Sequence, residues 1–376
     1  MAARRAILSV VEHSEPQPGA PTAMGSGLEQ PSVAEPAVPA VGRLAKYGRL
    51  LWWLHSAYAL GLGFGVLMFA RKGFGHARWL AISLGLLWIV LLVFFRWFGG
   101  RAGAPEQRNA KIKFYVMTYV LKNLYQGMLF FLLPFYWRSA VYGASSQWFV
   151  VVLGLCALLS TLDVVFDQVL MRFKIAASVF YFLTLFCCLN LVIPAMFPNT
   201  RSLVTLVAAA VISALAFWTM HIPFRFLGRP AVVALLVIWS AGSLVGAYYG
   251  RSFVPPVAMH VASGAVGPDL LDDGRLSIEA TRMHHALVED TLHAVTDVSI
   301  PGGKGDTLTH VWRKDGEVVH RFEDVDVEPA GTVGQVRLSS SLGPDWCPED
   351  RVGQWWVDVE TTDGQLVGRV AFEVTR

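Results

Sequence analysis

The sequence predicts a membrane-embedded bundle of about seven transmembrane helices followed by a small all-β domain. Of the 376 residues, 54% are hydrophobic and only 16% are charged. Soluble domains carry about a quarter charged residues. In addition, the spacing of apolar residues changes from helical to alternating near residue 275. These observations exclude a wholly aqueous protein and a chain that is disordered throughout.

Net charge divides the chain into three regions. Residues 1–47 carry as many acidic as basic groups and are rich in Pro, Ala, Gly and Ser, which predicts a disordered cytoplasmic tail. Residues 48–250 carry 16 basic and 3 acidic groups, whereas residues 251–376 carry 11 and 21. The last region therefore has a net charge of −10 and repels phosphate, which argues against a nucleic-acid partner.

The apolar runs between residues 48 and 250 are about 20 residues or longer, the length that a helix needs to cross a lipid bilayer. Trp137 and Trp148 lie near predicted ends, where interfacial aromatic residues concentrate. The predicted spans are 48–70, 78–98, 114–137, 146–171, 174–197, 202–220 and 231–250.

The distribution of Lys and Arg predicts the orientation. Eleven of these residues flank the spans on one side and six on the other, and cytoplasmic loops retain positive charge. The N-terminus is therefore expected in the cytoplasm of a bacterium. An odd number of spans then places the chain after residue 250 in the periplasm, so we predict a multi-pass protein of the inner membrane.

Several polar residues interrupt the predicted spans, where each charge needs a partner or a water-filled path. Lys122 and Asp163 fall about equally far from the cytoplasmic side, since both lie eight residues from a predicted span end. They either pair to fix the register of two helices or belong to a proton or ion relay. The intramembrane polar cluster comprises His55, Lys122, Asn123, Gln126, Asp163 and Asp167.

Two Gly-x-x-x-Gly patterns, Gly61 to Gly65 and Gly242 to Gly246, lie inside predicted spans. Glycines at this spacing let helix backbones approach closely in lipid, within one subunit or between copies of the chain. They predict helix packing and leave a homo-oligomer open.

Residues 251–274 contain several Pro and Gly and are predicted to be a linker, and residues 275–376 a β-sandwich of immunoglobulin type. Asp315-Gly316 and Asp363-Gly364 each separate two alternating runs, which is typical of tight hairpins. The predicted strands are 275–283, 291–299, 307–313, 317–327, 334–341, 353–361 and 365–375.

The C-terminal 100 residues resemble the bacterial domain of unknown function 2914. The residues that carry the resemblance are the runs His310 to Gly316, Arg337 to Ser340 and Gly353 to Val357, together with Asp363-Gly364 and Phe372 to Val374. The stretch from Lys113 to Arg138 is similar to the polytopic part that accompanies this domain in some bacterial proteins. The resemblance implies an envelope setting and a small β domain, and no established activity.

His310 and Trp312 share one face of a predicted strand. Trp312 either fills the core while His310 hydrogen-bonds at its edge, or the two form a binding patch. The histidines of this region have no recognised metal-ligand spacing, so we predict no metal and no cofactor.

The chain contains no serine-nucleophile elbow, phosphate-binding loop or His-Glu-x-x-His signature. We therefore expect a non-enzymatic protein whose periplasmic sandwich binds or organises an envelope partner. One alternative is ion- or proton-coupled transport of a small solute by the cluster of Lys122, Asp163 and Asp167. Another is a sensor that signals across the membrane.

Overall fold

The computed structural model describes the four helical residues Leu86, Ile89, Val90 and Val93 and, with short gaps, residues 108–376. The predicted tail, the span 48–70 and most of the span 78–98 therefore lie outside the described residues. The gaps are at 163–165, 167–169, 171–172, 223, 258, 272–273, 289–290, 301–304, 324 and 331–333.

Five helices precede the β domain in the described range. Helices α3, α4 and α5 are long and apolar enough to cross a membrane. The helix α1 is also long but includes charged residues, and α2 is short because Leu162 leaves the helical conformation. The prediction of seven spans is therefore not supported, because three of the described helices qualify. The bounds are α1 Arg108–Ser139, α2 Ser146–Thr161, α3 Lys174–Met196, α4 Ser202–His221 and α5 Pro230–Tyr249.

The core of the bundle forms around α3, most of which is buried, whereas α5 has no buried residue. Aromatic side chains from α1 supply much of the contact area. Tyr125 packs edge-on against Phe180, with ring centroids 5.0 Å apart. Tyr136 donates a hydrogen bond of 3.1 Å to the carbonyl oxygen of Cys187, which satisfies its buried hydroxyl.

Two antiparallel-rich sheets form the C-terminal domain and pack face to face as a sandwich. One sheet has the strand order β1-β3-β7-β6 and the other β2-β9-β8-β4-β5. The strands are β1 His260–Gly267, β2 Arg282–His284, β3 Leu292–Ser299, β4 Leu308–Lys314, β5 Glu317–Phe322, β6 Asp326–Pro329, β7 Gln335–Leu342, β8 Gly353–Thr361 and β9 Leu366–Thr375.

The sandwich begins earlier than predicted. Residues 260–267 belong to the predicted linker but form β1, which pairs with β3 along its length. The linker prediction is wrong there, because Gly264 and Gly267 lie in a strand and not in turns. A side chain at either position would overlap neighbouring atoms. Most of the predicted strand 275–283 likewise does not belong to a strand, since β2 starts at Arg282.

The β1 strand also closes one side of the sandwich by crossing next to β9. A Cβ atom on Gly368 would overlap the side chain of Val261, and one on Gly264 would overlap Val370. Glycine at both positions therefore permits the close approach. Trp312, Trp355 and Phe372 fill the interior between the sheets.

Three hydrogen bonds attach the sandwich and its entry segment to one end of the bundle. The backbone N–H of Ser202, at the start of α4, donates to Oδ2 of Asp306 at 2.9 Å. Arg251, directly after α5, donates from Nε to the carbonyl oxygen of Asp363. Ser145, directly before α2, donates from Oγ to the carbonyl oxygen of Ser252 at 2.7 Å. These contacts bring the α1–α2 connection, the start of α4 and the end of α5 to the same side as the sandwich.

Candidate functional site

The predicted intramembrane cluster is represented in the described residues by Lys122, Asn123 and Gln126 of α1. Lys122 and Gln126 are both buried, at 3% and 2% exposure. The amide oxygen and nitrogen of Gln126 make no hydrogen bond with any residue that the structure describes, and neither does the hydroxyl of Tyr125. Buried polar groups are nearly always hydrogen-bonded, so this part of α1 presents unused donors and acceptors to the bundle interior.

The side chain of Asn123 is hydrogen-bonded within α1 itself. Its side-chain amide donates to the carbonyl oxygen of Tyr119 at 2.8 Å, within the same helix, and Tyr119 is half exposed. The buried face of α1 therefore includes Lys122 and Gln126 but not Tyr119. His55, Asp163 and Asp167 lie outside the described residues, so the pairing of Lys122 with Asp163 stays a prediction.

The glycines of α5 do not pack against another described helix. A Cβ atom on Gly242 or Gly246 would have no described atom within 4 Å. Gly61 and Gly65 lie outside the described residues. Close helix packing at these four glycines, including packing between copies of the chain, stays a prediction.

His310 and Trp312 lie in the sandwich core, and both are fully buried. Nε2 of His310 lies 2.8 Å from Oγ1 of Thr296, and Nδ1 lies 2.8 Å from Oγ of Ser340. Trp312 donates its indole N–H to the same Ser340 oxygen at 3.1 Å. The binding-patch interpretation is therefore wrong, because neither ring reaches the surface. Burial lowers the pKa of His310 to about 4, so its ring is neutral near pH 7.

A layer of charged side chains covers the outer face of the five-stranded sheet. Asp358 accepts hydrogen bonds from Arg313 and Arg369, at 2.9 and 2.6 Å for the Nε atoms. Glu360 accepts from Arg313 at 3.1 Å and from Arg321 at 2.7 Å. Both carboxylates are nearly buried beneath the arginines, although they lie on the outer face of the sheet. We call these five residues the arginine layer.

The arginine layer has a net charge of +1 on a region of net charge −10. Its three guanidinium groups provide more N–H donors than the two carboxylates can accept. The three arginine side chains are 24% to 37% exposed, and the guanidinium of Arg369 lies 5.3 Å from the ring centre of Trp356. The layer and the adjacent Trp356 therefore combine arginine and tryptophan at a surface, two of the residue types that are enriched among interface hot spots.

The outer face of the four-stranded sheet has a smaller ion pair. Asp297 accepts two hydrogen bonds from Arg337, at 2.9 and 3.2 Å, and one from Ser263. The bond from Arg337 lowers the pKa of Asp297. This pair joins β3 to β7. One arginine binds its carboxylate, whereas two arginines bind each carboxylate of the arginine layer.

The arginine layer was not predicted from the sequence. A signal was present, because Arg313, Asp358 and Arg369 occupy outward positions of three predicted strands. Their pairing depends on which strands are neighbours, and the alternation of residues does not contain that information. Among the described residues there is no group of three His, Cys, Asp or Glu that could hold a metal ion, and all four cysteines are unpaired.

Two family models match the chain, and both describe proteins without a known function. The model of the family of unknown function DUF5924 matches residues 35–294, which is more than half of the sequence. The chain belongs to the DUF5924 family. A second model, for the protein of unknown function DUF2914, matches residues 305–374 and confirms the resemblance noted from the sequence. No curated protein matches the chain.

The boundary between the two matches falls inside the sandwich. The DUF5924 match ends within β3, and the DUF2914 match begins shortly before β4. The register between β3 and β7 runs from Leu292 with Leu342 to Ser299 with Gln335, so it joins the two regions. In this member of DUF5924, a fragment that contains the complete sandwich must therefore start before His260.

Proposed function

We propose that this DUF5924 protein is a non-enzymatic, multi-pass protein of the bacterial inner membrane whose periplasmic sandwich binds an envelope protein through the arginine layer. The N-terminal tail is cytoplasmic in this proposal, and the undescribed predicted spans complete an odd number of crossings. The observation that carries the proposal is the arginine layer itself, a cationic surface with spare N–H donors on an acidic domain.

The strand order supports an immunoglobulin-type assignment for the sandwich. An immunoglobulin domain has strands A, B, E and D in one sheet and C, F and G in the other, with additional strands beside C. The orders β1-β3-β7-β6 and β9-β8-β4-β5 correspond to A-B-E-D and G-F-C-C′. Trp312 on β4 then occupies the position of the buried tryptophan of strand C.

The attachment of the sandwich supports the proposed orientation. Arg138, Arg201 and Arg251 lie at the end of the bundle that carries the sandwich, because they adjoin the helix ends that contact it. Lys174, Arg225 and Arg229 flank the opposite ends of the same helices. This division matches the two sides that the sequence assigned to periplasm and cytoplasm.

Site-specific photo-crosslinking in cells tests the proposal. A photoreactive phenylalanine analogue at Gln354, on an exposed outward position of β8, is expected to give a discrete adduct with one envelope protein. The reversed charge in Arg321→Glu should reduce that adduct at least tenfold, because the variant removes a cation from the binding surface. Western blotting of the tagged chain measures both effects.

The matched control places the same analogue at Val327, which is exposed on the edge strand β6 of the other sheet. This position should give no such adduct. Equal adducts at both positions, or an adduct at Gln354 that Arg321→Glu leaves unchanged, would show that the arginine layer is not the binding surface.

Transport of protons or small ions through the bundle is a second candidate, favoured by the unused amide of Gln126 beside the buried Lys122. If the bundle conducts protons, the purified protein should acidify dye-loaded liposomes under a pH gradient. Gln126→Leu should then slow acidification at least tenfold, since the amide is proposed to line the path.

Thr184→Val is the matched control for the transport experiment. Thr184 is also buried, but its hydroxyl donates to the carbonyl oxygen of Phe180 within its own helix. This variant should conduct as the natural protein does. Flux no faster than in empty liposomes would contradict transport. In that case, a double variant Lys122→Met with Asp163→Leu that is more stable than either single variant would identify a structural ion pair.

A further inference from the structure

Two adjoining cavities lie where the sandwich meets the α1–α2 connection. A cleft of about 450 Å³ lies between the end of α1 and the strands β1 and β9. A groove of about 360 Å³ runs between α1 and α2. Ala140, Val141 and Tyr142 line both, so the cleft and the groove adjoin. Each volume falls in the range of small-molecule sites.

The cleft is cationic. Arg138 and Arg369 line it, together with the hydroxyl-bearing Ser263 and Thr281, and no acidic side chain is among its described lining residues. Arg369 is bound to Asp358, whereas Arg138 forms no salt bridge with the described residues and is exposed. Arg138 therefore offers a guanidinium group to an anion that enters the cleft.

The groove is apolar. Its lining includes Leu133, Val150 and Val151, with Gln147 as its polar side chain at the end nearest the cleft. Gly154 of α2 lies opposite Leu133, and a Cβ atom there would be 3.9 Å from that side chain. A larger residue at Gly154 would fill the groove.

Exposed aromatic residues place the junction of the cavities at the membrane surface. Trp137 near the end of α1, Tyr142 in the α1–α2 connection and Trp148 near the start of α2 are 73%, 88% and 69% exposed. Tryptophan and tyrosine in such positions lie at the level of lipid headgroups. Gly154 is two turns further along α2 from Ser146, which corresponds to roughly 12 Å toward the bilayer centre.

We propose that this composite site binds one anionic phospholipid, with the phosphate group in the cleft at Arg138 and an acyl chain in the groove beside Gly154. The cleft provides positive charge for the phosphate group, and the groove provides apolar surface for the acyl chain. The exposed aromatic residues set the depth of the site in the membrane. A soluble anion would use only the cleft, and a helix of a second copy would use only the groove. The inference does not depend on the proposed protein partner.

Native mass spectrometry of the full-length protein in detergent tests the proposal. The probes are dioleoyl phosphatidylglycerol, which is anionic, and dioleoyl phosphatidylcholine, which is zwitterionic with the same chains. One bound phosphatidylglycerol is expected, with at least a tenfold preference over phosphatidylcholine. Arg138→Gln should abolish the preference, and Gly154→Leu should weaken the binding of both lipids at least fivefold. Inorganic phosphate should not compete at millimolar concentration.

Two control variants match these changes. Arg225→Gln removes an exposed arginine at the other end of the bundle, and Gly127→Leu adds the same side chain to α1 where a Cβ atom has open space. Both should bind as the natural protein does. The proposal is overturned if the protein does not prefer phosphatidylglycerol over phosphatidylcholine, or if Arg138→Gln retains that preference. It is also overturned if inorganic phosphate displaces the lipid, or if Gly154→Leu converts a dimer to a monomer without changing lipid binding.

Discussion

Acidification from pH 7 to pH 4 should destabilise the sandwich by about 3 kcal/mol through His310 alone. Its pKa is about 4 in the folded protein, against an ordinary value of 6.5. Between pH 6.5 and pH 4 the His310 ring is protonated in the unfolded chain but neutral in the folded core, so stability falls as the pH falls. A difference of about 2.5 pKa units corresponds to about 3 kcal/mol. Urea unfolding of a fragment of residues 255–376 at several pH values measures the change.

His310→Gln is the comparison variant for this experiment. Glutamine can still donate to and accept from Thr296 and Ser340 but does not titrate, so the variant should lose much less stability between pH 6.5 and pH 4. Asp297, whose pKa is lowered, loses its own contribution mainly below its ordinary value of 3.8, and it is present in both proteins, so its effect cancels in the comparison. Parallel pH profiles for the two proteins would show that His310 does not control the response.

Asp358→Ala should lower the free energy of unfolding of the same fragment by about 2 to 4 kcal/mol. The Asp358 carboxylate is 2% exposed and accepts hydrogen bonds from both Arg313 and Arg369. Its removal leaves Arg369 without a carboxylate partner and leaves Arg313 with Glu360 as its remaining one. Removing one partner of a fully buried pair costs about 3 to 5 kcal/mol, and the partial exposure of the arginines reduces that cost. Chemical denaturation at pH 7 provides the measurement.

Glu373→Gln supplies the matched control. Glu373 also pairs with an arginine of the same sheet, but that residue, Arg282, is 71% exposed. Exposed ion pairs contribute little, so the variant should change stability by less than about 0.5 kcal/mol. Similar losses for Asp358→Ala and Glu373→Gln would contradict a special role for the arginine layer.

Local chemistry was sufficient to predict many of the elements. Asp315 and Gly316 both adopt positive φ angles, 50° and 93°, as the two-residue hairpin between β4 and β5 requires. The predicted bounds of α3, α4 and α5 agree with the structure to within one residue at each end. The spacing of apolar residues in a strongly apolar helix or an alternating strand is a property of that element alone. The sequence therefore shows it without knowledge of the neighbouring elements.

Features that depend on contacts between distant residues were not predicted. Alternation places His310 and Trp312 on one face but does not say that Thr296 and Ser340 lie opposite them, which is what permits a buried imidazole. The strand β1 was missed because its glycines are typical of a linker. In the structure a side chain at Gly264 would overlap Val370 of β9, and one at Gly267 would overlap the backbone of Ile278. The arginine layer likewise depends on the order of β4, β8 and β9 in the sheet.

The close crossing of β1 and β9 also determines how the sandwich can move. Val261 lies against Gly368 and Val370 against Gly264, so the two sheets are closely packed along this side. The opposite sides of the sheets end in β5 and β6, each of which has one neighbouring strand. We therefore expect motions between the two sheets to be smallest at the β1–β9 contact and largest at the opposite edges.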